Sequence, residues 1–363
     1  LFIIMDAFDE IESVHLRAAI VNINQFSKKY NKSRILISSR NYATTINNEF
    51  REEDLIGYEV FALNPINGSQ RTKFLNDEFK SNVFKFEKQV EEKGLEELMQ
   101  NAFFISHLVK IFKSNENVSL PSSRKEIFDL IVTSSIESDS EKYNQTGNNW
   151  SLNKERIINS LSILAISMIM LDKNEISYAD AKKLLKGDET TQLVIKSSLL
   201  HQPKGKSHNV QFIHNNLKEF LAAKLLSYLK FDDCIKYLFH SPEYTHFRIK
   251  WTNASVFLFD ITCKDPIFKN LLEYFIKYSP NVLVNMEIDK ISLNKREEIS
   301  KQITTHYWSR GISFYSSIPY EDKFIRFAGN SDSIVSYLVE YLKKASTEDI
   351  LHDVLSLLSL TGH

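Results

Sequence analysis

The stretch that decides the fold is LFIIMDAFDE at residues 1–10, where five apolar residues lead directly into an acidic segment. A short, uninterrupted apolar run is typical of a β-strand that is covered on both faces of a parallel sheet. The acids Asp6, Asp9 and Glu10 follow this run. The sequence therefore predicts a buried strand that delivers carboxylates to one edge of a sheet.

A second apolar run, RILISSR at residues 34–40, ends in two hydroxyls and Arg40. Between the two runs, residues 12–30 carry apolar side chains at helical spacing. Strand, helix and strand in this order predict a βαβ unit with parallel strands. Ligands of such sheets bind just beyond the carboxyl ends of the strands, so we expect Asp6 and Arg40 to lie at the same edge.

Residues of these types at such an edge could act on a nucleotide. Asp6 could hold a hydrated Mg²⁺ against the phosphates, and Asp9 and Glu10 could orient or deprotonate an attacking water. Arg40 could sense a γ-phosphate. There are also purely structural interpretations: acids at a strand end often cap the next helix, and Arg40 could form a salt bridge with Asp9 and Glu10. The residues alone leave both open.

Most of the remaining sequence is helical in pattern, apart from a β-prone stretch at residues 58–63. Residues 123–136 begin with Ser123 and Glu126 at capping-box spacing, which predicts a helix start. Polar residues 138–149 indicate a linker. Predicted helices lie at 68–79, 83–93, 95–113, 123–136, 152–171 and 214–230, with a hairpin between residues 198 and 213.

Composition excludes several classes of function. Lys+Arg 45 against Asp+Glu 46 gives a nearly neutral chain, so no overall field points to nucleic acid or anionic lipid. Cys234 and Cys263 lack metal-ligand spacing, and we expect a reducing, cytoplasmic compartment. The longest apolar run, residues 161–171, is too short to span a bilayer, so no membrane partner is expected. No HxxxH or GxSxG motif supports a histidine metal site or a nucleophilic serine.

The sequence contains no GxxxxGK[ST] loop, whose backbone amides and Lys would cradle the β- and γ-phosphates of a nucleotide. We therefore expect this phosphate-binding segment to lie upstream of Leu1, in a longer protein of which residues 1–363 are a piece. We also expect residues 1–363 to be catalytically inactive alone and not to bind nucleotide unaided.

Five motifs in order resemble those of NACHT-type STAND ATPases, such as bacterial antiviral STAND proteins. LFIIMDAFDE is similar to the family's Walker B segment, and RILISSR to its sensor strand. FALNPINGSQ (61–70) is similar to the entry to the family's helical subdomain. NAFFISHL (101–108) with LPSSR (120–124) is similar to a helix pair within that subdomain, and FIHNNLKEFLAA (212–223) to the hallmark of the winged-helix domain.

The resemblance implies a mainly α chain with an N-terminal α/β remnant, which is part of a P-loop NTPase sheet. The implied parts are the C-terminal part of the nucleotide-binding domain at 1–57, a helical subdomain at 58–137, the linker at 138–149, a winged-helix-like domain at 150–230, and a helical region at 231–363. The last region is expected to be the start of a repeat array.

The resemblance also implies roles for single residues, with ATP or ADP and Mg²⁺ as cofactors. Asp6 would hold Mg²⁺ through water, Asp9 and Glu10 would act on the catalytic water, and Arg40 would be the sensor arginine. His214 would contact the β-phosphate of bound ADP in a closed state, although a lone His at a helix start is usually structural. The family's Pro beside the adenine is Ala102 here.

For the longer protein the resemblance implies a signalling ATPase that is closed with ADP and open and homo-oligomeric with ATP. A protein ligand would be sensed by the C-terminal helical region. There are two alternatives: a non-catalytic helical scaffold with a degenerate nucleotide fold, and a winged-helix DNA-binding regulator. Residues 150–230 carry 12 Lys/Arg against 7 Asp/Glu, scattered rather than clustered, so we do not expect a nucleic-acid partner.

Overall fold

The computed structural model is mostly helical, with few strands, which confirms the predicted fold class at that level. It describes residues 2–6, 8, 11, 13–38, 55–59, 61, 64–79, 82–93, 95–96, 98–114, 119–144, 154–201, 209–288, 291–311, 313, 321–345 and 347–361.

The described strands and α-helices are numbered here in chain order. They are β1 (Phe2–Met5), α1 (Ser13–Lys29), β2 (Arg34–Ile37), α2 (Gly68–Glu78), α3 (Val83–Glu92), α4 (Ala102–Ser114), α5 (Arg124–Asn144), α6 (Lys154–Met170), β3 (Ile176–Ser177), α7 (Tyr178–Leu185), α8 (Asp188–Ile195), β4 (Leu200–His201), β5 (Asn209–Phe212), α9 (Asn215–Leu226), α10 (Phe231–Leu238), α11 (Thr252–Thr262), α12 (Pro266–Tyr278), α13 (Leu293–Trp308), α14 (Glu321–Ala328), α15 (Asp332–Leu342) and α16 (Glu348–Leu360).

The chain divides into two compact units. The first unit comprises Leu1–Tyr58, Ala165–Asn174 and Ala222–His363. The second comprises Glu59–Leu164 and Glu175–Leu221.

The first unit begins with the predicted βαβ arrangement. β1 and β2 are parallel, with Phe2 opposite Arg34 and Met5 opposite Ile37. Helix α1 covers one face of this pair and buries Ile20 and Ile23, together with Phe8 from the β1–α1 connection, in a small core. The prediction of two parallel strands joined by a helix is confirmed.

The opposite face of the two strands is exposed in the described part of the chain. Phe2, Ile4 and Leu36 are exposed by 62%, 64% and 53%, so the prediction of a strand covered on both faces is wrong for this structure. Successive side chains of a strand point to opposite faces, and α1 covers only one of them. Two parallel strands with a bare apolar face are typical of a larger sheet rather than of an independent one.

The C-terminal part of the first unit is a helical assembly with an aromatic core. The ring of Phe275 on α12 lies 5.1–5.3 Å from the rings of Phe239, Phe247 and Phe259, measured between centroids. Phe275 and Phe239 are fully buried. Further along the chain, α14 and α15 pack against α13, and α16 packs against α14 and α15. Edge-to-face ring contacts of this kind add to the stability that burial provides.

The second unit packs its helices through phenylalanines. Phe79, which follows α2, lies 5.2 Å from the ring of Phe86 on α3 and 5.5 Å from the ring of Phe112 on α4. Phe128 on α5 stacks on Phe220 at 5.4 Å, which ties α5 to α9. These long-range contacts link the helical stretch after residue 59 to the segment near residue 214.

A small antiparallel sheet in the order β3-β5-β4 also belongs to the second unit. Leu200 of β4 lies opposite Phe212 of β5, which confirms the predicted hairpin. The β-prone stretch at 58–63 does not form a strand at its described residues Tyr58, Glu59 and Phe61.

Helix α5 extends through Asn144, into the stretch that was predicted to be a linker. The reason is tertiary: Asp139 is only 2% exposed, and its carboxylate accepts a 2.7 Å hydrogen bond from the backbone N–H of Ser198. This contact retains a polar stretch in the packed unit. The remaining predicted linker residues, 145–149, lie outside the described part of the chain.

We expect Asp139→Ala to lower the free energy of unfolding by about 2–3 kcal/mol, because it leaves a hydrogen bond to a buried carboxylate unmade. Urea unfolding followed by circular dichroism measures this. Glu137→Ala is the matched control on the same helix: Glu137 pairs with Lys154 at 2.6 Å but is 59% exposed, and the loss should stay below about 1 kcal/mol. Equal losses in the two variants would contradict the anchoring role of Asp139.

Candidate functional site

The carboxyl edge of β1 and β2 brings Asp6 and Ser38 together. Asp6 directly follows β1, Ser38 directly follows β2, and the Ser38 hydroxyl donates to Asp6 Oδ1. The backbone ladder continues past both strands, since Ser38 N donates to Met5 O at 2.9 Å and Phe8 N donates to Ser38 O at 2.8 Å. The edge is thus held by backbone hydrogen bonds on both sides of the carboxylate.

The segment after Asp6 is tied to the core by Phe8, which is only 3% exposed. Asp9, Glu10 and Arg40, predicted to complete the site, lie outside the described residues. Asp6, the predicted Mg²⁺ residue, lies at this edge beside Ser38.

Asp6 has the geometry of a strand-edge acid rather than that of a helix cap. Its carboxylate accepts a hydrogen bond from Ser38, which directly follows the neighbouring strand, whereas α1 begins only at Ser13. The side chain is exposed, so its oxygens are accessible to a ligand. An accessible carboxylate beside a hydroxyl suits Mg²⁺, which keeps most of its water and uses one or two carboxylates together with phosphate oxygens.

His214 lies where β5 leads into α9, in the second unit, and is half-buried. Its Nδ1 accepts a 3.1 Å hydrogen bond from the backbone N–H of Asn216. Its carbonyl oxygen accepts from Leu217 N at 3.1 Å. The imidazole therefore caps the first turn of α9, which is the structural role that the sequence left open.

Capping also fixes the tautomer of His214. Because Nδ1 accepts a hydrogen bond, the proton of the neutral ring is on Nε2, which makes Nε2 a donor. The preceding residue is held as well, since Ile213 N donates to Leu199 O at 3.0 Å. Glu219, on the next turns of α9, is only 6% exposed, in agreement with a structural role.

Asp6 belongs to the first unit and His214 to the second. Their convergence on one nucleotide stays a prediction. Within the described residues, no group of three or more His, Cys, Asp and Glu side chains is arranged to hold a metal ion.

One motif residue has a structural role that sequence reasoning missed. Gln70, part of the FALNPINGSQ stretch, forms a capping box with Asn67 at the start of α2. The Asn67 side chain accepts from Gln70 N at 2.9 Å, and the Gln70 side chain accepts from Asn67 N at 3.1 Å. The three-residue spacing of Asn67 and Gln70 could have indicated this.

Comparison with known proteins gives no family: no protein-family model and no curated protein matches the chain. The resemblance to NACHT-type STAND ATPases therefore stays a prediction from the motifs. None of the helices within the described ranges is both long and apolar enough to cross a membrane.

Proposed function

We propose that the chain is part of a NACHT-type STAND signalling ATPase, which switches between a closed ADP-bound and an open, oligomeric ATP-bound state in antiviral defence. One observation carries the proposal: Asp6 follows the first of two parallel strands and accepts a hydrogen bond from Ser38, which follows the second. This is the edge at which α/β sheets bind ligands.

At this edge Asp6 would hold Mg²⁺ through water, and the Ser38 hydroxyl would keep the Asp6 carboxylate in one orientation. When bound, Mg²⁺ neutralises charge on the phosphates. Asp9 and Glu10 would orient and deprotonate the attacking water, and Arg40 would contact the γ-phosphate.

The bare face of the two strands supports a larger nucleotide-binding domain. The exposed Phe2, Ile4 and Leu36 side chains need a cover of strands or helices, as in other parallel sheets. We place the phosphate-binding loop among those additional elements.

In the winged-helix-like part, His214 would donate from Nε2 to the β-phosphate of ADP. Its capping bond to Asn216 supports this, because it places the ring proton on Nε2. The contact would be made in the closed state and lost in the open state, where Arg40 would contact the γ-phosphate of ATP. The nucleotide then shifts the equilibrium only by its difference in affinity for the two states.

Two residues are enough to supply this difference in binding free energy between the closed and open states. One or two charge-assisted hydrogen bonds to phosphate contribute about 1.5–3 kcal/mol each. A protein ligand on the helices after residue 231 would favour the open state, and open protomers would assemble with one another.

The test is ADP release from the full-length protein. We expect His214→Ala to speed ADP dissociation by about tenfold, because one hydrogen bond to a charged phosphate is lost. Fluorescent ADP in a stopped-flow chase measures the rate.

A second variant separates phosphate binding from helix capping. His214→Asn retains a good capping side chain but lacks Nε2, so it should release ADP as fast as His214→Ala. His201→Ala, at an exposed His of β4 that contacts Gln211, is the control and should leave release unchanged. If His214→Asn restored slow release, His214 would be only a cap, and its proposed phosphate contact would be wrong.

A further inference from the structure

A cleft of about 380 Å³ lies in the first unit, between the end of α12 and the last two turns of α13. The short 3₁₀-helix Pro280–Asn285, which follows α12, contributes Pro280 and Asn281 to its lining. The volume is within the range of small-ligand sites. Its polar and aromatic walls include Lys277, Tyr278, Asn281, Gln302, His306 and Tyr307.

The cleft is positively charged. Lys277 is the charged lining residue, and none of the residues that line the cleft is an acid. The neighbouring acid Glu298 is already bound, at 2.8 Å by Lys295 and at 3.3 Å by the Gln302 amide. Hydrogen bonding to Tyr278 raises the pKa of Lys277, so this ammonium is charged at neutral pH.

Hydrogen bonds hold several of the other side chains that line the cleft. Asn281 Nδ2 donates to Tyr307 Oη at 2.6 Å. Arg310 donates to His306 Nε2 at 3.1 Å, so the neutral His306 ring carries its proton on Nδ1. Burial and then Arg310 lower the pKa of His306, which keeps the ring neutral at pH 7. The amide side chains of Asn281 and Gln302 bring both donor and acceptor groups to the cleft.

We propose that this cleft binds a carboxylate carried on a peptide, such as the side chain of a Glu or Asp residue in another protein. Lys277 would bind the carboxylate, and the amide side chains would bind the peptide groups next to it. A nucleobase is a poorer fit, because the Tyr278 ring already contacts Lys277 and the Tyr274 ring, at 4.8 Å and 4.7 Å. The site does not depend on the proposed nucleotide site.

The test uses histidine-labelled protein and NMR signals of the His306 ring, assigned with His306→Gln. The probes are the capped peptide Ac-Gly-Glu-Gly-NH2, its neutral analogue Ac-Gly-Gln-Gly-NH2, and free glutarate. We expect the Glu peptide to shift the His306 signals saturably, with affinity that falls as salt is added. The Gln peptide should bind about tenfold more weakly, because it lacks the charge-assisted bond.

Two lysine variants on α12 complete the design. Lys277→Gln should weaken binding of the Glu peptide by about tenfold. Lys269 is an exposed lysine of the same helix that pairs with Glu273 and does not line the cleft. Lys269→Gln should therefore leave binding of the Glu peptide unchanged. Because Lys277 and Lys269 are both exposed, neither substitution should affect folding.

Several outcomes would overturn the proposal: no shift of the His306 signals, equal binding of the Glu and Gln peptides, or full binding by Lys277→Gln. Glutarate that bound as tightly as the Glu peptide would overturn the peptide as ligand and indicate a small dicarboxylate instead. Glutarate that bound more weakly than the peptide would support recognition of the flanking peptide groups.

Discussion

Replacing Asp6 by Ala in the full-length protein is expected to lower kcat for ATP hydrolysis by about 100-fold or more, as loss of a major electrostatic contact in an active site does. Asp6 stands at the carboxyl edge of β1, where its carboxylate would hold the hydrated Mg²⁺. The double variant with Glu10→Ala should abolish hydrolysis and signalling. Release of inorganic phosphate under saturating ATP measures the effect.

Folding is not expected to confound this result, because the Asp6 side chain is exposed and lies outside the small core around Phe8. Asp6→Asn keeps an oxygen that can accept the hydrogen bond from Ser38 but removes the charge, so it should be nearly as inactive as Asp6→Ala. Ser38→Ala should cause a smaller loss, since Ser38 only orients the carboxylate. Ser33→Ala, before the start of β2, is the control. Hydrolysis at the wild-type rate by Asp6→Ala would refute the proposed ATPase site.

Asp353→Ala is expected to lower the free energy of unfolding by about 3–5 kcal/mol, more than Asp139→Ala. Asp353 on α16 is fully buried, and its carboxylate accepts from Trp308 Nε1 at 3.1 Å and from the Ser313 hydroxyl at 2.8 Å. Hydrogen bonds to a charged group contribute about 1.5–3 kcal/mol each, and the substitution also leaves a buried indole N–H without its acceptor. Urea unfolding followed by tryptophan fluorescence measures the loss.

The matched control for Asp353 is Asp349 on the same helix. Asp349 is exposed in the first turn of α16, where it interacts mainly with the helix dipole. Asp349→Ala should therefore cost less than about 1 kcal/mol. Asp353→Asn keeps an acceptor and most of the volume, so its loss should be intermediate. If Asp353→Ala were no more damaging than Asp349→Ala, the buried carboxylate would not be the link between α16 and α13.

Local patterns in the sequence predicted the elements whose formation depends on neighbouring residues. The βαβ unit follows from two apolar runs and one helical period, and the hairpin from two short β-prone stretches around a turn. Whether the second face of β1 is covered depends on other segments, and this prediction was wrong at Phe2 and Ile4. The end of α5 was also missed, because Asp139 is buried by a contact with distant Ser198.

The site was predictable to a similar extent. The position of Asp6 follows from the strand that precedes it, whereas the hydrogen bond from Ser38 to Asp6 was not predicted from the sequence. The cap formed by His214 is local and is seen in the structure, whereas its contact with a nucleotide is implied only by the resemblance of residues 212–223 and stays a prediction. The cleft near Lys277 and His306 is formed by residues of two separate helices, so no local sequence motif predicts it.

Calorimetry with MgADP tests the proposed nucleotide switch most directly. We predict no binding to residues 1–363 alone and one MgADP per chain for the full-length protein. Asp6→Ala and His214→Asn should each weaken that binding. Binding that neither substitution changes, or a full-length protein that binds no MgADP, would contradict the proposed roles of Asp6 and His214.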